Sequence, residues 1–482
     1  MESLLVPYAA LCGITLMIGW LLHFTYKWMN PPCKGNLPPG TMGFPIIGET
    51  FQLIKKSPSI DIPSYYQQQL KRYGPMFKTS LLGQPLVVSM DPEVNRFVFQ
   101  QEGRLFRMWF PEAGNLIFGK NTITAHSSAT HKFMRSLLAS RLFGPENLKG
   151  VMIRELEDAV KKSFAAWAAM PSIEVKDSVA DMIFGVVAKK MIGMDPSESI
   201  ELRKNFDMLA LGMLCLPIYF PGTLFYKCMK AARNVHGRLT ELLNDRLRTP
   251  GKKHGDFVDL MVEDLQSENP VIDENFVIEA LAGILFGSFS GPSVTLSIAL
   301  KLLSDNPAVV ETLKEEHETI LKKRQGMESG FTWEEYKSLT FTNHVINEIT
   351  RMSNVAPGIF RKALKDVQVN GYTIPAGWLV IISPISVHLN PTLFEDPLKF
   401  NPWRWMTQDE TKRITQKRNL IPFGGGIRLC LGAEFTKLFI SIFLHVLVTK
   451  YRWIEIKGGE FERFAEMAIP QSYHIQLVPE TK

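Results

Sequence analysis

Cysteine is scarce in this chain. Only Cys12, Cys33, Cys215, Cys228 and Cys430 occur among 482 residues, scattered and without a CxxC pair. An odd, dispersed set argues against a disulfide framework and a structural zinc site, and fits a reducing compartment. A strong excess of one charge is missing too: the net charge is +6, and Lys252-Lys253-His254 is only a short basic run. Such a run reads as a solvated loop, so no nucleic-acid partner is expected. No Gly/Ser-rich or acidic linker, internal repeat or low-complexity tract divides the sequence. At roughly 150 residues per domain the length would suggest about three domains, yet without linkers one large body is the expectation. Gly424-Gly425-Gly426 does not open a GxGxxG, because Leu429 stands where the last glycine is required, so a dinucleotide fold is not supported.

Apolar sequence is abundant, and its first concentration is N-terminal. From Leu4 to Leu22 no charged residue interrupts the run, with Tyr8, Trp20, Tyr26 and Trp28 near the ends and Lys27 and Lys34 following. That length is close to the roughly 20 residues needed to span hydrocarbon. A cleaved signal peptide is the alternative. Against it stand Glu2 in place of a basic start and a run longer than the roughly 7–15 apolar residues of such peptides. A retained anchor is expected, its basic flank cytosolic. Pro31-Pro32 and Pro38-Pro39-Gly40 then read as a stiff hinge. The expected organisation is an anchor over 1–27, a proline-rich hinge over 28–45 and a catalytic body over 46–482.

Periodicity predicts helices over 155–169, 178–191, 235–247 and 273–303, and strands over 77–81, 86–89, 368–369 and 378–383. The fold class is therefore mainly α with small β-sheets.

The stretch Phe423-Gly-Gly-Gly-Ile-Arg-Leu-Cys-Leu-Gly432 fits FxxGxRxCxG at all five fixed positions, a chance event on the order of one in several thousand sequences of this length. A thiolate that ligates iron needs an apolar wall and N–H donors aimed at its sulfur. Glycines let backbone N–H groups approach closely. Phe423 can cover the sulfur, and a helix predicted over 434–447 turns its positive end toward Cys430. This segment resembles the haem-binding loop of the cytochrome P450 family. The resemblance implies the cytochrome P450 fold, haem b (iron protoporphyrin IX) ligated by Cys430, and monooxygenase activity with O2. NADPH would serve indirectly, through NADPH-cytochrome P450 reductase. Thiolate donation favours O–O cleavage.

Other segments agree in order. Glu348-Ile-Thr-Arg351 is an ExxR, and Phe400-Asn-Pro-Trp-Arg404 follows it. Alone, an i,i+3 pair is usually a weak surface contact; the resemblance implies that Glu348, Arg351 and Arg404 form a buried structural network holding the cysteine loop. His131 and Arg135, spaced HxxxR on one predicted helical face, with Arg361 and Arg428, are the candidates for two buried propionates, which need cationic partners; Phe423, over the sulfur, completes the cofactor-binding candidates. Segments 331–338, 372–378 and 400–405 resemble the plant microsomal branch that oxidises sterols, triterpenoids and brassinosteroid-type molecules. That implies a single-pass enzyme in the lipid bilayer of the endoplasmic reticulum with a cytosolic body. Its sterol or triterpenoid substrate would be hydroxylated or oxidised in succession, with C–C cleavage in the substrate's side arm as one outcome.

One segment departs from the family. Positions 287–292 read Gly-Ser-Phe-Ser-Gly-Pro, so Ser290 replaces the usual acid and Gly291 the usual alcohol. Pro292 cannot donate to the Ser288 carbonyl, which predicts a kink or a freed acceptor. Proton delivery then falls to Ser290, Ser288, an ordered water or a substrate hydroxyl. The pocket expected from the resemblance draws on Met108, Trp109, Leu211, Phe286, Phe289, Ala356, Phe360 and Ile469, each equally compatible with core packing. Together they imply a large polycyclic ligand held by area and shape. The run 209–226, with Pro217 and Pro221, is a candidate membrane-dipping entrance. Two rivals stand beside this reading: a reductase-independent hydroperoxide isomerase or dehydratase, and a non-catalytic haem- or sterol-binding protein.

Overall fold

The computed structural model describes residues 2–119, 129–213, 215–249, 251–324, 330–356, 358–465 and 467–480, the side groups of 2–10 and 129 excepted. Helices dominate, and the predicted ones are present at Ile153–Ala168, Val175–Ile192, Leu224–Arg248 and Glu274–Ser304. Glu274–Ser304 crosses the middle of the body and packs on Val175–Ile192 and Leu224–Arg248. Its start is capped by Asp273, whose carboxylate accepts from the Phe276 N–H at 2.7 Å, satisfying a donor that the first turn leaves open. This helix is long and apolar enough to cross a membrane, but 56% of its most apolar stretch is buried inside the protein. It is a core helix. Pro292 lies inside it without interrupting it. Sequence rules allow a kink or a freed acceptor here; the helix continues through Pro292, which has no N–H for the Ser288 carbonyl. The next turn is supported by hydroxyl groups, Ser293 Oγ donating to the Ser290 carbonyl at 3.0 Å and Thr295 Oγ1 to the Gly291 carbonyl at 2.9 Å.

A five-stranded sheet runs in the order Met76–Leu81, Gln84–Ser89, Leu379–Ile382, Ile359–Ala363, Phe106–Met108. The first pair is a hairpin whose two-residue turn, Leu82-Gly83, has positive φ at both positions, as a type I′ turn requires. A second hairpin joins Val367–Val369 to Tyr372–Ile374 through Asn370-Gly371, again with positive φ at both. The edge pairing matters most for function, because it sets Met108 opposite Arg361. Strand Met467–Pro470 reaches back to the segment after the ExxR helix Thr340–Met352, with the Ala468 N–H donating to the Asn354 carbonyl at 3.2 Å.

The N-terminal helix spans Glu2–Met29, and from Leu11 to Met29 nearly all its large apolar side chains are exposed. The proline-rich segment after it is stitched to the body. Lys78 N donates to the Pro39 carbonyl at 2.8 Å, Thr373 N to the Asn36 carbonyl at 2.7 Å, and Ser80 Oγ to the Met42 carbonyl at 2.6 Å. Trp28 adds an indole hydrogen bond to the Gly43 carbonyl at 3.0 Å.

Candidate functional site

The cysteine segment is a tight loop between the short helix Glu410–Asn419 and the long apolar helix Ala433–Lys450. Cys430 N donates to the Phe423 carbonyl at 2.9 Å, and Leu429 N to the Gly426 carbonyl at 3.1 Å, closing the loop on itself. Gly424 and Gly426 have φ of +71° and +66°, which favours glycine. The loop also lies against the end of helix Pro92–Gln100. A Cβ at Gly425 would fall 2.9 Å from the Phe99 ring, and one at Gly426 would fall 2.3 Å from the Phe99 carbonyl oxygen. The glycines therefore serve conformation and close approach together. Cys430 itself is exposed. Crowding by its neighbours nevertheless desolvates the thiol and pushes its pKa up, while the Gly432 N–H and Arg135 act in the opposite direction. The positive end of helix Ala433–Lys450 begins three residues on, and further favours a thiolate.

Beneath the loop lies the carboxylate of Glu348, fully buried and accepting at both oxygens. Arg351 binds it in bidentate fashion, Nε to Oε2 at 2.9 Å and Nη2 to Oε1 at 2.8 Å. Arg404 Nε and the Asn401 N–H reach Oε1 at 2.9 and 3.0 Å, and Trp405 Nε1 reaches Oε2 at 3.0 Å. The arginines spend their remaining donors on carbonyls: Arg351 on those of His388 and Pro397, and Arg404 on that of Glu395, at 2.9, 2.7 and 2.6 Å. His388, which the sequence did not single out, completes the connection. Its ring Nε2 accepts the Ile421 N–H at 2.9 Å, and burial with the Arg351 charge pushes its pKa down to about 3. The ring is thus neutral, with its proton on Nδ1, and ties the base of the cysteine loop to the network.

A second charged group gathers beside the loop. Arg135, on helix Ala129–Leu138, donates to the Leu429 carbonyl at 2.7 Å. Burial, helped by Arg428 and Arg135, pushes the His131 pKa down to about 4. With these neighbours His131 is a neutral imidazole at neutral pH and offers an N–H. Arg361 and Arg428 converge on one residue missed in the sequence, Glu102, at 2.5 and 3.4 Å from its two oxygens. Nothing in the local pattern Gln101-Glu102-Gly103 distinguishes Glu102 from a surface carboxylate.

The pocket candidates divide. The Trp109 and Phe360 rings meet at 5.6 Å, and Met108 pairs with Arg361 in the sheet. Asn354 Nδ2 donates to the Ala356 carbonyl at 3.0 Å, while its own carbonyl holds the strand carrying Ile469. Val355 lies beside Gly291, 3.7 Å from where a Cβ would stand. Phe286 joins Phe118 and Phe206 at 5.0 and 6.5 Å. Phe289 is turned into the core against Phe184 at 5.3 Å, because it sits roughly 200° around the helix from Gly287. Leu211 is 63% exposed; on helix Pro196–Gly212 the buried positions include Leu202, Phe206 and Leu209, so Leu211 belongs to the outward face. Leu214 and Pro357, within the proposed pocket segments, lie outside the described residues.

The sequence profile of the family described as Cytochrome P450 matches residues 38–477. The chain belongs to the cytochrome P450 family. Among its relatives, Cytochrome P450 87A3 of Oryza sativa subsp. japonica is 43% identical over 99% of this chain and 93% of its own. Cucurbitadienol 11-hydroxylase of Siraitia grosvenorii is 41% identical over 96% of this chain and 98% of its own. Beta-amyrin 16-alpha-hydroxylase CYP87D16 of Maesa lanceolata is 39% identical over 98% of this chain and 99% of its own. The solved structure of retinoic acid bound cyanobacterial CYP120A1 superposes with a TM-score of 0.82, covering 93% of this chain and 100% of that one at 24% identity. It speaks for the fold alone. This P450 is a monooxygenase, and its family uses haem b with electrons drawn from NADPH through a reductase.

The residues of this P450 fit that cofactor. One accessible thiol stands at a helix N-terminus beside clustered guanidinium groups, which suits a thiolate ligand and two propionates. On the central helix, a Cβ added at Gly283 or Gly287 would meet no heavy atom of the described residues within 4 Å. The Glu348 network supports the arrangement from behind. Breaking a buried ion pair by neutralising one partner costs roughly 3–5 kcal/mol, a large part of an ordinary domain's stability. Glu348→Gln is therefore expected to lower the thermal midpoint sharply and to yield P450 with little haem per polypeptide, measured by absorbance against protein concentration. An unchanged midpoint with full haem content would contradict the role given to Glu348.

Proposed function

We propose that this P450 oxidises a triterpenoid or sterol, by hydroxylation or by successive oxidations that extend to C–C cleavage in the substrate's side arm. The observation that carries the reading is the pair of relatives named as hydroxylases of cucurbitadienol and beta-amyrin, 41% and 39% identical across almost the full length. The apolar character of the pocket segments supports it. Trp109, Phe360, Phe286, Ala356 and Ile469 present area and shape with no charge, which suits a rigid polycyclic ligand and keeps water from the reacting carbon.

In this reading Arg135, Arg361 and Arg428 hold the propionates and Cys430 binds the iron. Bound there, haem supplies the iron that activates O2. The protein's part in oxygen chemistry falls to the helix turn at 287–291. Ser290 lies three residues from Gly287 and so shares its face. Its Oγ is the group that can hold a proton where the family usually has an acid, and Gly291 offers no hydroxyl of its own. A hydroxyl on the substrate is then the second proton source. The weak acid–alcohol site at Ser290 and Gly291 would suit a hydroperoxide isomerase; the relatives named as hydroxylases favour the monooxygenase.

The apolar helix Glu2–Met29 is proposed to anchor the enzyme in the endoplasmic reticulum membrane, 28–45 being the connecting segment and 46–482 the catalytic body. Exposed Phe44, Ile46 and Phe51, and exposed Leu216, Ile218, Tyr219 and Phe220, would rest on the same bilayer. Helix Glu410–Asn419, with Lys412, Arg413, Lys417 and Arg418, leads into the cysteine loop and offers a cationic landing surface for the reductase.

Removing residues 1–27 is expected to move the protein from the membrane pellet to the supernatant with its haem spectrum intact; loss of haem on truncation would assign that helix to the core. The substrate reading is tested by co-expression with a plant NADPH-cytochrome P450 reductase in hosts that accumulate sterols, cucurbitadienol or beta-amyrin, followed by mass spectrometry. New products one or more oxygens heavier, or lacking the side arm, are expected in at least one host. Products formed from an already hydroxylated intermediate should consume NADPH with tighter coupling than those from the parent. Equal, tight coupling on both would show that Ser290 or water suffices, and no product from any polycyclic alcohol would overturn the substrate class.

A further inference from the structure

Glu102 sits in a turn that the backbone holds firmly: Gly103 N donates to the Phe106 carbonyl at 2.7 Å, and Leu105 N to the Gln101 carbonyl at 2.9 Å. Glu102 is itself buried. Besides contacting Arg361 and Arg428, Oε1 accepts the Met108 N–H at 3.1 Å, so three segments distant in sequence meet at one carboxylate. Arg361 is further fixed, its Nη1 donating to the Phe360 carbonyl at 2.9 Å and its guanidinium lying 5.8 Å from the centre of the Phe99 ring. That same Phe99 supports Gly425 and Gly426. Two guanidinium groups buried side by side repel each other unless an anion lies between them. Arg135, Arg361 and Arg428 against Glu102 leave two positive charges, the number that a pair of propionates neutralises.

We propose that Glu102 is a positioning residue for the haem: it fixes Arg361 and Arg428 and trims the positive charge that faces the propionates to match them. The proposal rests on the reading of Arg135, Arg361 and Arg428 as propionate partners. It assigns to Glu102 a role in cofactor retention and in reduction potential that its position in the sequence does not suggest. Removing its charge adds one positive charge beside the haem, which favours the reduced, more negative form. Outer partners that orient a ligand set typically change metal affinity 10–100-fold when lost.

The test uses the full-length haem-loaded enzyme in detergent. Glu102→Gln is expected to shift the haem reduction potential to more positive values and to speed haem transfer to an apoprotein acceptor by about tenfold or more. Glu102→Asp, which keeps the charge, should retain the parental potential. Glu102→Gln combined with Arg361→Gln restores the charge balance and should bring the potential back toward the parent. If the single Gln variant fails to accumulate with haem, recovery of haem by the double variant supports the charge-matching role, and continued failure with a displaced potential in Glu102→Asp overturns it. A Glu102→Gln enzyme with parental potential overturns it as well, whether or not haem leaves faster, because packing alone would leave the potential unmoved. Arg361→Gln by itself separates the two readings. Faster haem loss there with no effect of Glu102→Gln removes only Glu102; no effect of either removes the propionate assignment.

Discussion

The buried carboxylate of Glu348 is the interaction on which the rest of the site depends. A charge withdrawn from water is tolerable only if nearly every lone pair is met, and Glu348 is met by Arg351, Arg404, Trp405 and the Asn401 N–H. Each partner then imposes a position elsewhere. Arg351 carries the His388 carbonyl with it, and His388 carries the Ile421 N–H. The cysteine loop starts there. One ion network on a helix thereby determines where a thiol more than eighty residues later must stand.

The loop is constrained a second time from the other side. Phe99 leaves no room for a Cβ at Gly425 or Gly426, and Arg135 holds the Leu429 carbonyl beside Cys430. A loop held from both sides can present a sulfur without relying on helix packing at its own position, which is why Cys430 can remain accessible. The charged cluster at Glu102 belongs to the same construction: its members come from the sheet edge, the sheet interior and the loop. The edge register of Met108 with Arg361 brings the three together.

Much of this was legible in the sequence because it is written in short spacings. FxxGxRxCxG, ExxR and HxxxR each lie within one loop or one helix turn, and Glu348, Arg351 and Arg404 do form the buried network expected of them. The long helices followed from their apolar periodicity. What escaped depends on separation along the sequence or on the face of a helix. Glu102 acquires its meaning from partners more than 250 residues away, and His388 from a backbone N–H 33 residues on. Leu211 and Phe289 lie in the expected segments but on other faces, since a segment does not state its rotation about the helix axis. Pro292 lies inside a continuous helix, where sequence rules allow either a kink or a freed Ser288 carbonyl.

All of these arrangements converge on a single claim, that Cys430 provides the thiolate bound to haem iron. The reduced carbon monoxide complex tests it most directly. The native enzyme should show the red-shifted Soret band from which the family takes its name, and Cys430→Ser, which removes the sulfur with little change of shape, should lose it. A Cys430→Ser protein that kept the band would contradict the account.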